Sequence, residues 1–305
     1  MAKKRIVFSY LAYPFTMANY FRKALERRND VELFTIGAFS GQKIPWNGGM
    51  FIPNKYFNQV DLPLSPDNLH PTWETIQPLL PWWEPDLSIT VDAGWHFSTK
   101  PSCPSAIVAT DPHVLDYSKQ RKLCDRFFNM QPSYMQEGDT LLPYAYDPEA
   151  HYPMDSIEKV YDAVLIGLHY PNRNEWVNRL AVNGVSVNYR IGDIWDEYRE
   201  QSNKATMGLI WSSANDVIAR VFEVMAMELV PICNRLPGLG ALGFQEWKHY
   251  IGFSSIEEAT EKVLWAKAHP ETAKSIAREA RKYVVKNNMT WDSRCQSLLH
   301  KFGMA

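Results

Sequence analysis

Cysteine is scarce and scattered in this chain. Its four cysteines, Cys103, Cys124, Cys233 and Cys295, form no C-x-x-C pair. That argues against a zinc site or a disulfide framework and suits a reducing, cytoplasmic setting. Long apolar runs are also missing, and none approaches the roughly 18 residues of a membrane span. Met1-Ala2-Lys3-Lys4-Arg5 has the basic start of a signal peptide, but the apolar segment after it, 6–12, is short and lacks a cleavage site. It reads as a first strand. There is no excess of either charge: 32 Lys and Arg stand against 34 Asp and Glu, a net −2. Residues 1–150 hold 14 of the basic and 16 of the acidic residues, so neither half announces nucleic acid, although such sums hide local patches. His151, His169, His249, His269 and His300 show no metal-ligand spacing and read as structural or exposed. There is no Asp-x-Asp motif.

The chain has 305 residues, 46% of them apolar, enough for two domains with proper cores. Strand-like runs at 5–11 and 31–36 flank a helical pattern at 17–28. From 37 to 85 the sequence is crowded with Pro, Trp, Tyr and Asn, including Trp82-Trp83, a connection long enough to suggest function. Trp82 is a candidate acceptor platform, although paired tryptophans more often fill a core or an interface. Two further strands, 86–91 and 105–109, end at Asp92 and at Thr110-Asp111-Pro112-His113. Residues just beyond the carboxyl ends of parallel strands line ligand crevices, which makes Asp92 and Asp111 candidate site residues. Asp111 before Pro112 equally suits a turn. A proline-punctuated join near 146–160 precedes a second series: a strand at 161–167, a helix at 174–183, a strand at 185–190 ending at Gly192-Asp193, and helices at 256–268 and 271–286.

The most informative stretch runs from Trp211 to Ile232. Small polar residues, Ser212, Ser213 and Asn215, lead into a helix carrying Arg220 and an early carboxylate, Glu223, and then a buried strand begins at Val230. Backbone N–H groups at such a loop and helix start suit phosphates, and a glutamate there can accept from a ribose diol.

Taken with Asp162 to Gly167 and the following Asn172-Arg173, with Tyr189-Arg190-Ile191-Gly192-Asp193, and with Thr290-Trp291-x-x-Arg294, this stretch resembles GT-B glycosyltransferases. The likeness is greatest to the spore-maturation-protein branch and more distant to phage DNA β-glucosyltransferases. It implies an α/β fold of two Rossmann-like domains facing across a cleft: 1–152 for the acceptor, 153–289 for the nucleotide sugar, and a last helix, 290–305, returning to the first domain. It further implies a metal-independent hexosyltransferase using a UDP-sugar. Arg173, Arg220 and the loop N–H groups at Ser212, Ser213 and Asn215 would hold the diphosphate, Glu223 the ribose, and Gly192 and Asp193 would lie beside the base. Asp111 would take the acceptor proton, with His113 the competing base and Asp92 a positioning or acceptor residue. Retaining members often carry a second glutamate where this chain has Asn215, so inversion is favoured. A hydroxymethylated pyrimidine in DNA is the slightly favoured acceptor, served by Lys43, Lys55, Lys100, Lys119, Arg121 and Lys122. A glycan, a protein or a small molecule is the alternative. A nucleotide-sugar epimerase or a non-catalytic binding protein of the same fold is the reading from a different class.

Overall fold

The computed structural model describes residues 2–41, 59–167 and 169–304. The chain divides into two compact units, Met1–Pro143 with Trp291–Ala305, and Tyr144–Thr290.

The first unit is built on β1 (Lys4–Leu11), α1 (Ala18–Glu26), β2 (Val31–Ala38), β3 (Leu62–Leu64), α2 (Trp73–Ile76), β4 (Leu87–Asp92), β5 (Ser105–Ala109), β6 (Arg126–Asn129) and β7 (Thr140–Leu141). Among the described residues its seven strands are all parallel, in the order β3-β2-β1-β4-β5-β6-β7. Every residue of β4 and β5 is buried, as expected for central strands covered on both faces. In α1, Ala18, Phe21 and Leu25 fall on one helical face, and all three are buried. The strand order reverses direction between β1 and β4, so the carboxyl ends of these two strands form the topological switch point of this sheet.

The second unit contains β8 (Tyr161–Ile166), α3 (Pro171–Val182), β9 (Val187–Arg190), α4 (Trp195–Asn203), β10 (Ala205–Ile210), α5 (Arg220–Ala226), β11 (Val230–Asn234), α6 (Pro237–Ala241), β12 (Ile251–Phe253), α7 (Ile256–Ala268) and α8 (Pro270–Lys286). The five strands are again parallel, in the order β12-β11-β10-β8-β9, with the reversal between β8 and β10. Leu165, Leu209, Ile232 and Ile251 of the sheet pack with Trp176 and Leu180 of α3 and with Val263 of α7 in one core. Gly208 lets α5 lie close on the sheet: a Cβ there would meet Cγ1 of Val224 at 2.5 Å. Ser255 caps α7 by accepting the Glu258 N–H through its side chain.

The last helix, α9 (Trp291–His300), packs within the first unit. The buried Trp291 ring meets Phe21 edge-on at 5.8 Å, Arg27 donates to Asp292 at 2.8 Å, and Arg294 Nε donates to the Pro143 carbonyl at 2.8 Å.

The boundary between units falls at 143/144, earlier than the 152/153 read from the sequence. Residues 144–152 are tied to the second unit by hydrogen bonds that a count of turn residues cannot reveal. The Tyr146 N–H reaches the Met289 carbonyl at 3.1 Å, and Asn203 Nδ2 donates to the Tyr152 carbonyl at 3.2 Å. The polar loop before α5 is also longer than its sequence suggested, because the helix starts only at Arg220. Asn215 lies in the left-handed region, φ 58°, and the Ser212 hydroxyl accepts the N–H groups of Ala214 and Asp216. Local side-chain bonds of this kind compete with helix formation.

Candidate functional site

At the switch point of the second sheet two guanidinium groups converge. Arg173 falls on the inward face of α3 with Trp176 and Leu180, in the helix's first turn. Its Nη2 donates to the carbonyl of Trp211, just past β10, at 2.7 Å. Arg220, the first residue of α5, donates through Nη2 to the carbonyl of Ile166, the last residue of β8. The two side chains meet over Gly167, which has φ 150°. A Cβ there would lie 2.6 Å from Arg220 Nη2 and 3.4 Å from Arg173 Nη1. Burial, and then the neighbouring charge of Arg220, push the Arg173 guanidinium down to about 10, still cationic at neutral pH. Nε and Nη1 of Arg220 are buried without a hydrogen-bond acceptor among the described residues. Two like charges held together form a site suited to a multiply charged anion.

One turn along α5, Glu223 is oriented by the interior of the unit. Its Oε2 accepts the Tyr198 hydroxyl at 2.8 Å, and its Oε1 lies 3.8 Å from Nε2 of His151. His151 is fully buried, and its Nδ1 accepts the Asp147 N–H at 3.0 Å, so a neutral ring carries its proton on Nε2, toward Glu223. Burial lowers the His151 pKa against the opposing pull of Glu223 and Asp147, and the ring is held neutral. Burial and then the Glu223 charge raise the Tyr198 phenol well above its ordinary range, so it stays a donor.

The other donor-side candidates have local partners. Ser212 is buried, donates its hydroxyl to Asp216, and gives its N–H to Asn234 Oδ1 at 2.9 Å. The N–H groups of Ser212, Ala214 and Asp216 therefore bond side chains of the unit itself. Ser213 and Asn215 are exposed. Gly192 turns the chain after β9 with φ 85°, and both carboxylate oxygens of the buried Asp193 accept from Arg190.

In the first unit, Asp92 ends β4 at the switch point and is wholly buried. Its Oδ1 accepts the Gly94 N–H at 2.7 Å, and Oδ2 lies 3.1 Å from Nδ1 of His96. Its carbonyl accepts the Tyr117 hydroxyl at 2.7 Å and the Thr110 hydroxyl at 3.0 Å. Asp111, half-buried beyond β5, accepts the Thr110 hydroxyl, and its carbonyl receives the N–H groups of Val114 and Leu115. His113 is half-buried, with its ring 6.0 Å from Tyr134. Trp82 packs edge-on to Phe34 at 6.3 Å against the apolar cluster around Val7 and Ile36. Of the basic residues considered for DNA, Lys100 pairs with Asp125 and Arg121 with Asp139, while Lys119 and Lys122 are exposed. Lys43 and Lys55 lie outside the described residues.

Sequence reasoning missed His96, Tyr198 and the place of His151. For His96 a signal existed, an Asp and a His four residues apart just past a buried strand. For Tyr198 and His151 there was none, since only the topology brings them to Glu223. Among the described residues no three His, Cys, Asp or Glu side chains gather as metal ligands, and no helix is long and apolar enough to cross a membrane.

Residues 152–300 match the family model described as glycosyl transferase-like. Several solved structures share the whole fold. A glycosyltransferase from Rickettsia africae superposes with a TM-score of 0.66 at 9% identity, covering 99% of this chain and 98% of its own. HepE from Anabaena, solved with UDP and glucose, gives 0.64 at 10% identity over 99% and 100% of the two chains. The DNA-modifying enzyme β-glucosyltransferase, studied with uridine diphosphoglucose, gives 0.56 at 12% identity over 98% and 99%. No protein of curated function matches the chain by sequence. The two parallel sheets, each with its own order reversal, and these whole-chain superpositions give the chain the GT-B glycosyltransferase fold, with a match to the glycosyl transferase-like family over residues 152–300.

Proposed function

We propose that the chain transfers a hexose from a UDP-sugar to an acceptor hydroxyl, with inversion and without a metal ion. The observation that carries this reading is the pair of close guanidinium groups, Arg173 and Arg220, at the switch point of the second sheet, with Glu223 one turn beyond. As the bond from the anomeric carbon to the diphosphate breaks, negative charge grows on the leaving oxygen. Fixed cations at that point stabilise the transition state more than the ground state. The diphosphate also relieves the repulsion between the two arginines, which are buried and close enough to lower the Arg173 pKa. Glu223, steadied by Tyr198, accepts from the ribose hydroxyls. UDP is favoured as the carrier because HepE, a neighbour in fold, was solved with it. Inversion is favoured because Asn215, not a second glutamate, precedes α5, and because the first unit gathers its own acid–base groups at its strand ends.

The likeness to the DNA β-glucosyltransferase supports a hydroxymethylated pyrimidine, while the pairing of Lys100 with Asp125 and of Arg121 with Asp139 removes two of the cations that DNA would need.

The test is release of free nucleoside diphosphate from UDP-, GDP-, ADP- and TDP-sugars, in EDTA. Each donor is run with water, with ordinary DNA, with hydroxymethylated DNA and with a panel of glycans. Release from UDP-sugars that needs one acceptor establishes the transfer and names the acceptor. Conversion of the sugar nucleotide without release would instead make the chain an epimerase, and binding without either reaction would make it a binding protein.

A further inference from the structure

We infer that His96, oriented by Asp92, is the group that takes the proton from the acceptor hydroxyl. This assignment rests on the transferase reading above and concerns a residue that the sequence motifs did not single out.

A carboxylate wholly buried at the end of a central strand is costly unless each oxygen is engaged. Asp92 engages one oxygen with the Gly94 N–H; its other oxygen and Nδ1 of His96 are both buried, lie 3.1 Å apart and have no other hydrogen-bond partner among the described residues, so each is the only group at hand for the other. The segment holding the ring is anchored on both sides. Trp95 and Phe97 are buried, their rings 5.1 Å apart, and Phe97 also meets Trp73 edge-on at 5.2 Å. The Ser98 N–H reaches the Pro71 carbonyl at 2.9 Å, and Thr99 Oγ1 accepts the Trp73 N–H at 2.8 Å. His96 thus sits between two anchored neighbours, with a side chain 16% exposed, next to the exposed His70, whose ring centre is 4.3 Å away. A fixed imidazole with a buried carboxylate behind it and a solvent-accessible face is the arrangement that general-base chemistry requires.

Asp111 is placed differently. Its carboxylate meets the Thr110 hydroxyl, and its carbonyl closes the turn at Val114 and Leu115.

The step balances without a further reactant. With its proton on Nδ1, toward Asp92, the His96 ring offers the Nε2 lone pair. The acceptor O–H proton moves to Nε2 as the acceptor oxygen bonds to the anomeric carbon, and the bond from that carbon to the diphosphate oxygen breaks. The imidazolium, stabilised by the Asp92 charge, then releases its proton to water. Asp92 is a positioning residue in this scheme; among the described residues Asp92 and His70 lie against His96, and Asp111 acts with Asp92 on Tyr117.

The test compares His96→Gln, Asp92→Asn and Asp111→Asn in the full chain, with the UDP-sugar and acceptor found active for the wild type. UDP affinity and the pH–rate profile are measured for each. For His96→Gln a fall in turnover of about 10²–10⁴-fold is expected, with UDP affinity kept and the acid limb of the pH profile lost. Asp92→Asn should lower turnover in the same direction with UDP affinity kept. Asp111→Asn should lose less and keep the acid limb. His70→Ala checks the neighbouring ring and should keep the acid limb. Near-wild-type turnover by His96→Gln, or loss of the acid limb in Asp111→Asn alone, overturns the assignment while leaving the transferase reading intact. A wild type that binds no UDP and releases none from any donor overturns both.

Discussion

Each of the two units has a parallel sheet with a reversal in strand order, and each gathers chemistry at the carboxyl ends of the strands that flank it. What they gather differs in sign. At the end of β4 the first unit buries a carboxylate, Asp92, with a histidine against it. Beyond β8 and β10 the second unit brings together two guanidinium groups over a glycine. Topology therefore selects the location in both sheets, because the diverging connections leave the strand ends uncovered there. The side chains then select the chemistry: proton transfer suits a titratable pair, and diphosphate binding suits permanent cations. The contrast is testable, because substitutions at the two places should fail in different measurements.

Within the second unit the largest effect is expected from Arg220→Ala. Turnover should fall by about 10²–10³-fold, as for loss of one preorganised charge-stabilising donor, and UDP affinity should fall with it. Calorimetric titration with UDP checks the second part. Wild-type affinity in this variant would show that the cationic cluster is structural, and the contrast between the units would lose its chemical meaning. Gly167→Ala is the subtler probe, since it adds a single carbon. That carbon would press on Arg220 Nη2 at 2.6 Å, in a backbone conformation, φ 150°, that side chains rarely adopt. A UDP affinity roughly tenfold weaker is expected, with about 1–3 kcal/mol of lost stability from the strain. Full affinity would place the arginines' working position away from Gly167.

Much of this architecture could be read before the structure was known, and the exceptions share a physical cause. The strands β4 and β5 were read at 86–91 and 105–109, and α7 was read at 256–268, the bounds it has in the fold. The strands β3, β6, β7 and β12 have two to four residues, too few for a period to register. β10 carries Gly208, which weakens a strand pattern and is there because Val224 packs against it. Arg220 and Glu223 stood out because their setting is local: a loop, a helix and a strand in succession. The pairing of Glu223 with Tyr198 and His151 is a product of the fold, and a single sequence carries no trace of it. His96 lies between these cases, close in sequence to Asp92 yet recognisable only once the carboxylate is seen to be buried.

Glu223→Gln should have an intermediate effect. The amide keeps the shape and can still accept the Tyr198 hydroxyl but loses the charge that favours two ribose hydroxyls. An increase of about tenfold in KM for the UDP-sugar is expected, with little change in kcat, the pattern of an interaction made equally in ground and transition states. Donors lacking the 2′-hydroxyl should discriminate wild type from variant less than the natural donor does. A drop in kcat without a change in KM would move Glu223 from the ribose to the reacting centre.

The smallest effect concerns stability, and it separates the interior of the second unit from that of the first. His151 is buried neutral, its pKa lowered from the ordinary 6.5 by burial despite Glu223 and Asp147. The unfolded chain takes up a proton at this residue near pH 6.5, while the folded chain does not. The native state therefore loses stability as pH falls below that point, by at most about 1.4 kcal/mol per pH unit for one proton. Above it the contribution is complete. His151→Asn keeps an acceptor near Nδ1 for the Asp147 N–H and removes the titration. Melting temperatures from pH 7.5 to 5.5 should fall more steeply for the wild type than for the variant, although the variant starts lower. Parallel slopes would mean that His151 is protonated in the folded chain at pH 5.5, and that its approach to Glu223 is an ion pair in that range.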